Sequence, residues 1–182
     1  MKYAFQLKIG RMDGAFVAYH NTEHIYGYEY VPFREMIMRL FGDDYNLEVS
    51  FAVTSKMLTS IMDYLLEDTK HYDYEQLKVG FYANSVTKSL NVIVEVMSEV
   101  KEYTSVPNNM GVAQYFNEHV GELQNPVFKY DFSFYAFINN ILVRHPSIYF
   151  TPEDNLRMKW RVKKLGRVQR DEYILFLKEA YK

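Results

Sequence analysis

A run of basic residues near the end of the chain has the pattern that most directly predicts a chemical function. Within residues 156–163, cations occupy every second position. Alternate side chains of a β-strand point to the same face, so Met158, Trp160 and Val162 are predicted to face the core. The cations on the other face would lie about 6.6–7 Å apart, a spacing that suits the phosphates of one nucleic-acid strand. These alternating cations are Arg157, Lys159, Arg161 and Lys163.

The basic segment continues to Arg170 without an acidic residue, although the net charge of the whole chain is −2. A basic strip on an acidic body favours a local contact with a polyanion, which we predict to be RNA. Two other interpretations stay open: an edge strand whose charges prevent aggregation, or a face paired with the chain's own carboxylates. The predicted RNA-binding residues are Arg157, Lys159, Arg161, Lys163, Lys164 and Arg167.

Residues 3–33 form the most informative stretch, predicted as the end of a helix, a glycine-punctuated turn and an aromatic hairpin. Gly10 and Gly14 lie close together, which indicates positive φ or a close packing contact. Residues 15–19 predict a strand with both faces covered, and residues 25–31 predict its partner. The turn between them therefore brings a polar, histidine-containing segment to the tip of the hairpin.

That tip carries His20 and His24 with Glu23 between them. On a helix, histidines four residues apart would suit a metal ion. Strands and a turn flank this pair, so we expect turn bonding or packing instead. If His20 or Asn21 has a direct role, contact with RNA is favoured over proton transfer.

The amino-acid sequence of this stretch resembles the signature of a family of fungal and protist mitochondrial proteins. They trim the 5′ ends of mitochondrial RNA and are exoribonucleases of the PD-(D/E)XK nuclease superfamily. The resemblance rests on Ala18-Tyr19-His20-Asn21-Thr22, on residues 25–30 and on the glycine turn before them. It implies a mitochondrial location and an RNA substrate. The signature residues are Gly10, Arg11, Met12, Asp13, Gly14, Tyr19, His20, Asn21 and Thr22.

In that family the catalytic Asp and the Glu-x-Lys strand lie on the N-terminal side of this signature. The chain begins at Met1, just before it, so we expect a C-terminal portion without catalytic carboxylates. Such enzymes use acidic residues to hold Mg²⁺ and a Lys to position the phosphate or water. Glu95 is followed two residues later by Met97, and Glu48 by a serine, so neither forms the motif.

No catalytic residue is therefore assigned, and no cofactor is expected in this chain. Mg²⁺ or Mn²⁺ would act only if another part completed the nuclease. Gln6 is the remaining candidate, because the helix after the Glu-x-Lys strand often presents Gln or Lys to the site in this superfamily. The alternative for Gln6 is a solvated helix face. The Arg11 and Asp13 side chains are expected to pair across the turn.

Composition limits the number of domains and the kinds of site that this chain can contain. The 182 residues suffice for the single domain that we predict over residues 1–182. The absence of cysteine excludes disulfides, thiolate metal sites and cysteine nucleophiles. No apolar run approaches about 20 residues, so no membrane contact is predicted. The 17 tyrosines and one tryptophan indicate half-wet sheet faces and interfaces, or base stacking.

Periodicity predicts an α+β fold, a largely antiparallel mixed sheet backed by helices. After the hairpin, strands are predicted at residues 47–53, 77–83, 90–96, 127–138 and 156–165. Helices are predicted at residues 33–41, after an N-cap at Thr54-Ser55, at residues 112–119 and at residues 170–181. The helix after Thr54-Ser55 carries an apolar stripe of Met57, Leu58, Ile61, Met62, Leu65 and Leu66.

Together these observations predict the RNA-binding C-terminal part of a mitochondrial 5′-exoribonuclease. The alternative is a non-catalytic structural or adaptor subunit of a mitochondrial RNA–protein assembly, such as a ribosome or transcription complex. The expected partners are RNA and either the missing nuclease half or mitochondrial RNA polymerase and ribosomal proteins. A weaker alternative is an interaction domain whose tyrosines form a dimer surface.

Overall fold

The structure is a computed structural model that describes residues 1–84, 89–99, 123–143 and 150–180, with the single residue 114. Its helices are α1 (Lys2–Gly10), α2 (Phe33–Phe41), α3 (Asp44–Thr69) and α4 (Arg170–Ala180). Its strands are β1 (Gly14–His20), β2 (Ile25–Pro32), β3 (Gln76–Asn84), β4 (Ser89–Met97), β5 (Val127–Ile138), β6 (Ile141–Leu142) and β7 (Leu156–Arg167). The predicted α+β class is confirmed.

Antiparallel pairing dominates the sheets. Strands β1 and β2 form a two-stranded sheet. The larger sheet has the order β3-β4-β5-β6, and β7 pairs with β5. The predicted hairpin of β3 and β4 is confirmed with an unbroken register from Gln76↔Met97 to Asn84↔Ser89. Asn139 and Asn140 follow β5 at φ 50° and 67°, so the predicted break there is confirmed.

The chain divides into two compact units. Unit 1 comprises Met1–Ser60 and Phe137–Arg157, and unit 2 comprises Ile61–Ala136 and Met158–Lys182. In unit 1, helices α1 and α2 and the first part of α3 bury Ala4, Ile37, Phe41 and Leu47. The Phe5 ring stacks on Phe41 with centroids 6.1 Å apart. This core is built by helices alone.

Unit 2 places strand β4 between two apolar layers. On one face Val92, Val94 and Val96 pack with Ile61 and Leu65 of α3. On the other face Ile93 packs with a cluster that α4 completes through residues such as Ile174. A strand covered on both faces requires a nearly continuous apolar run, which β4 has. Both faces of this strand are therefore committed to stability.

The strand predicted at residues 47–53 is wrong, because these residues lie inside α3. The helix is capped by Asp43, whose Oδ1 accepts a 2.7 Å hydrogen bond from the Asn46 backbone N–H. The N-cap predicted at Thr54-Ser55 is also wrong: the Thr54 hydroxyl donates to the Ser50 carbonyl within the helix. Leu47 and Phe51, four residues apart, then share one helical face.

Two predictions of burial are also corrected. Strand β1 does not have both faces covered, since its residues from Phe16 to His20 are exposed. In the apolar stripe of α3, Ile61 and Leu65 are buried, but Leu58 and Leu66 are exposed. Apart from residue 114, the helix predicted at 112–119 lies outside the described residues, as do residues 144–149 of the predicted proline loop. Within the part that the structure describes, no helix is long and apolar enough to cross a membrane.

Candidate nucleic-acid interface

Strand β7 presents its alternating cations to solvent. Arg157, Lys159, Arg161 and Lys163 are all exposed. The opposite face packs inward: Val162 lies against the unit 2 core, and the Trp160 ring centroid is 5.8 Å from Tyr64 and 5.9 Å from Phe132. The predicted strand is confirmed. Met158 and Val162 are half-buried as predicted, whereas Trp160 contacts core rings and is still 40% exposed. The row is therefore a solvent-facing series of positive charges on a strand that contacts the core through its other face.

Lys164 lies on the inner face. Its Nζ is 2.7 Å from Asp68 Oδ2 and 4.9 Å above the Phe128 ring centroid. The Tyr130 hydroxyl donates to the same carboxylate oxygen at 2.6 Å. Partial burial alone would raise the pKa of Asp68, but the hydrogen bonds from Lys164 and Tyr130 outweigh it and the pKa is lowered. Lys164 thus holds β7 to the core.

The end of β7 departs from simple alternation. Gly166 has φ +103°, a conformation that side chains disfavour. Beyond it, the backbone N–H of buried Val168 donates to the Val127 carbonyl at 2.8 Å. Arg167, between them, is exposed. The glycine therefore turns the chain inward immediately after the last cation of the strand.

Few acidic partners compensate the exposed cations. Among the described residues, none forms an ion pair with Arg157, Arg161, Lys163 or Arg167. An unpaired exposed cation keeps its charge available to a polyanion. As far as the described carboxylates are concerned, the interpretation that the chain neutralises its own basic face applies to Lys164 and not to these four cations.

Tyr135 is a residue of this face that sequence reasoning missed. It lies on β5, which pairs with β7, and its side chain is 42% exposed. Its neighbours Phe132 and Phe134 belong to or pack on the core, so alternation directs Tyr135 outward. The same alternation in the sequence would have identified it. An exposed aromatic ring is able to stack on an RNA base.

The signature glycine turn has a structural explanation. Arg11 caps α1 in the left-handed conformation at φ 51°. The backbone N–H of Met12 donates to the Leu7 carbonyl at 2.9 Å, and that of Arg11 donates to Lys8 at 3.2 Å. These two bonds define a Schellman end of the helix. The expected Arg11–Asp13 ion pair is not among the ion pairs of the described residues; the Asp13 carbonyl instead accepts the Phe33 N–H at 2.7 Å.

Gly14 is required by close packing within the hairpin. A Cβ at this position would lie 2.6 Å from the Val31 carbonyl oxygen and 2.7 Å from the Tyr30 ring. Such distances are too short for any side chain. The signature glycine is therefore explained by backbone approach between β1 and β2.

Asn21 organises the hairpin tip. Its Oδ1 accepts from the backbone N–H groups of Glu23 at 2.9 Å and His24 at 2.6 Å, and its Nδ2 donates to the Tyr26 hydroxyl at 2.8 Å. His20 Nδ1 donates to the Asn21 carbonyl at 3.0 Å. The expectation of turn bonding agrees with this network. Within the described ranges, no group of three His, Asp or Glu side chains could hold a metal ion.

The carboxylate of Glu95 has structural partners. Tyr173 donates to Oε2 at 2.7 Å and Asn125 donates to Oε1 at 3.0 Å, while the Lys78 Nζ lies 3.9 Å from Oε2. These contacts fix α4 and the chain near residue 125 to the sheet. Gln6 is exposed on α1, as the solvated-face interpretation predicts. The arrangement offers binding groups and no assembled catalytic centre among the described residues.

Comparison with known proteins shows a similarity over part of the chain. Residues 1–63 match the family model described as "Mitochondrial protein Pet127". A fission-yeast protein (Schizosaccharomyces pombe) named "mRNA degradation protein pet127, mitochondrial" is 39% identical over 64 residues, 35% of this chain and 12% of that protein. A budding-yeast protein (Saccharomyces cerevisiae), "Putative mitochondrial translation system component PET127", is 30% identical over 115 residues, 59% of this chain and 14% of that protein.

The family model and both relatives are described as mitochondrial, and the predicted mitochondrial location is confirmed. More particularly, residues 1–63 are similar to the Pet127 family. The matched segments span only about an eighth of the length of these relatives. No solved structure matches the chain.

Proposed function

We propose that this chain is the RNA-binding part of a mitochondrial RNA-processing 5′-exoribonuclease. The observation that supports it is the exposed cation row of β7, on a strand whose other face contacts the unit 2 core through Val162 and Trp160. Four of its six predicted contacts have no acidic partner among the described residues. The name of the fission-yeast relative, an mRNA degradation protein, supports the same role.

The RNA would run along β7, with phosphates near Arg161 and Lys163 and a base near Tyr135. Strand geometry spaces the cations about 7 Å apart, and because the backbone is already ordered, binding has to order only their side chains. The bases need not be read individually, since phosphate contacts supply affinity without sequence information. The proposed contact therefore positions RNA without selecting its sequence.

Cleavage would depend on groups outside this chain's described residues. A PD-(D/E)XK nuclease needs carboxylates and a Lys around Mg²⁺ or Mn²⁺. Glu95 does not fit this role, because both of its oxygens are bonded to Tyr173 and Asn125. We assign no catalytic step to this chain. The catalytic Asp and Glu-x-Lys strand would be supplied by a further nuclease half, in the same polypeptide or as a partner.

A salt titration of RNA binding tests the proposal. The variant Arg157→Glu/Lys159→Glu/Arg161→Glu should bind a single-stranded RNA more weakly. It should also lose roughly 0.7 from the slope of log K against log salt for each phosphate contact removed. Lys2→Glu/Arg34→Glu/Lys56→Glu, which reverses three exposed cations on helices, is the control for net charge. Unchanged affinity and slope in the triple variant would refute the proposed RNA site.

A nuclease assay tests the division between binding and cutting. The purified chain, given Mg²⁺ or Mn²⁺ and a 5′-monophosphorylated RNA, should bind the RNA and leave it intact. Metal-dependent shortening from the 5′ end would show that the carboxylate assignment is wrong.

A second candidate is a non-catalytic adaptor in a mitochondrial RNA–protein assembly. The budding-yeast relative's name, a putative translation system component, favours this alternative. Its partners would be ribosomal proteins or mitochondrial RNA polymerase. An in-frame Glu-x-Lys strand encoded upstream of Met1 would favour the exoribonuclease, and co-sedimentation of the chain with mitochondrial ribosomes would favour the adaptor.

A further inference from the structure

The β1–β2 hairpin, here called the aromatic ribbon (residues 14–32), exposes its aromatic side chains. Register pairs Phe16 with Tyr30 and Ala18 with Tyr28, so these four residues share one face. The Phe16 and Tyr30 rings lie 5.0 Å apart on it. The exposed fractions on this side are 76% for Phe16, 71% for Tyr26, 67% for Tyr28 and 47% for Tyr30. Only the base of the ribbon contacts helix α2, and exposed aromatic surface of this kind commonly marks an interaction site, so a covering partner is physically favoured.

The two faces of the ribbon differ in chemistry. On the opposite face Val17 pairs with Glu29, whose carboxylate accepts a hydrogen bond from the Tyr19 hydroxyl. The face of Phe16 and Tyr28 has no charged side chain in the paired register. The face is therefore suited to an apolar protein surface.

Charge argues against RNA as the occupant. Residues 14–32 contain Glu23 and Glu29 and no Lys or Arg. Nucleic-acid affinity depends on cations at the phosphates, which the ribbon lacks. An RNA stacked on the rings would bring its phosphates close to two carboxylates, which repel them. An uncharged protein surface would not be repelled.

We propose that the aromatic face of the ribbon is a dimer interface that packs on the same face of a second copy of this chain. An uncharged surface meets its own copy without repulsion, as a two-fold interface requires. The small Ala18 lies beside the large Tyr28, so the face offers both a recess and a projection to its copy. In a face-to-face pair, Tyr28 of one copy would fill the recess above Ala18 of the other.

The available area fits such a pair. Four aromatic side chains of about 200 Å² each, roughly two-thirds exposed, provide about 500 Å² per copy. Two copies would bury about 1,000 Å², near the lower limit for a specific interface. The pairing is therefore reversible and dependent on concentration.

Sedimentation equilibrium of the full chain over a range of concentrations measures this association. Tyr28→Ser should weaken the dimer about tenfold or more, because the central aromatic contact is lost. Tyr3→Ser is the matched control, since Tyr3 is 68% exposed on α1. A wild-type chain that remains monomeric at the highest soluble concentration overturns the proposal.

Cysteine labelling gives a test that keeps every aromatic residue. The chain has no cysteine, so Ala18→Cys places a single thiol on the aromatic face and Val17→Cys places one on the opposite face. Face-to-face pairing predicts that the Ala18→Cys thiol reacts more slowly with a maleimide as the protein concentration rises, while the reaction of Val17→Cys changes little. Equal dependence of the two rates on protein concentration, or stronger protection of Val17→Cys, overturns the proposal. So does protection of the Ala18→Cys thiol of a monomeric chain by poly(U), which would assign the ribbon to RNA.

Discussion

The Nζ atom of Lys164 lies 2.7 Å from Oδ2 of Asp68, which is 96 residues earlier in the chain. The same oxygen accepts the hydroxyl hydrogen of Tyr130, whose side chain is buried in the unit 2 core. One carboxylate thereby joins α3, β5 and β7. This contact gives Lys164 a structural partner that Lys163, its exposed neighbour on the other face of the strand, does not share.

The two adjacent lysines are predicted to have different roles. Lys163→Gln should weaken RNA binding and lower its salt dependence, with little change in stability, because its side chain is exposed. Lys164→Gln should lower the free energy of unfolding by about 1–3 kcal/mol, because Asp68 loses its ion-pair partner. RNA titration and urea unfolding of both variants measure the difference. Equal effects in both assays would contradict the assignment of opposite faces.

Asp68→Asn should remove a pH-dependent part of the stability. The folded pKa of Asp68 is lowered, so its contribution is present above its unfolded pKa, near 4, and is lost as the pH falls through the folded value. The variant should therefore be less stable than wild type at pH 7, and the difference should shrink in acid. Urea unfolding at several pH values measures it. A constant difference across that range would contradict this linkage.

Tyr130→Phe tests the alkaline side of the same cluster. Burial, reinforced by Asp68, raises the pKa of Tyr130. Its stabilising contribution is present below the unfolded pKa of about 10 and is lost as the pH rises above it. The wild type should therefore lose stability above about pH 10 more steeply than the variant. Parallel curves of unfolding free energy against pH would exclude this role for the hydroxyl.

The two signature glycines should respond differently to the same change. Gly14→Ala should cost about 1–3 kcal/mol, since the new Cβ meets the Val31 backbone oxygen at 2.6 Å. Gly10→Ala places its Cβ against the flexible end of the Met12 side chain, which is able to move. Chemical unfolding monitored by circular dichroism compares them. A harmless Gly14→Ala would show that β1 and β2 are not packed so closely.

Asn21→Ala should loosen the hairpin tip. The backbone N–H groups of Glu23 and His24 lose their acceptor, so their amide hydrogens should exchange faster with solvent. Asn21→Asp keeps an acceptor oxygen and is the control. Hydrogen exchange followed by NMR measures both, and equal exchange in the two variants would contradict the turn network.

Local pattern was sufficient for several elements. The positive φ values of Asn139 and Asn140 and the end of α2 at Gly42 follow from residue type. The two-faced β7 follows from period two, because an alternating charge pattern has one consistent arrangement on a strand. The strand prediction for residues 47–53 was wrong because a short alternation of apolar residues fits either a strand or a helix. Packing of Leu47 against the helices of unit 1 favoured the helix.

The amino-acid sequence by itself determined the hairpins, the capped turns and the basic face of β7, because these depend on neighbours a few residues apart. Only the tertiary structure decided which cation is structural, since the partner of Lys164 is distant in sequence. It also decided that Glu95 bonds to Tyr173 and that the aromatic ribbon stays exposed. Burial and long-range pairing depend on which surfaces meet, and residue spacing does not specify that.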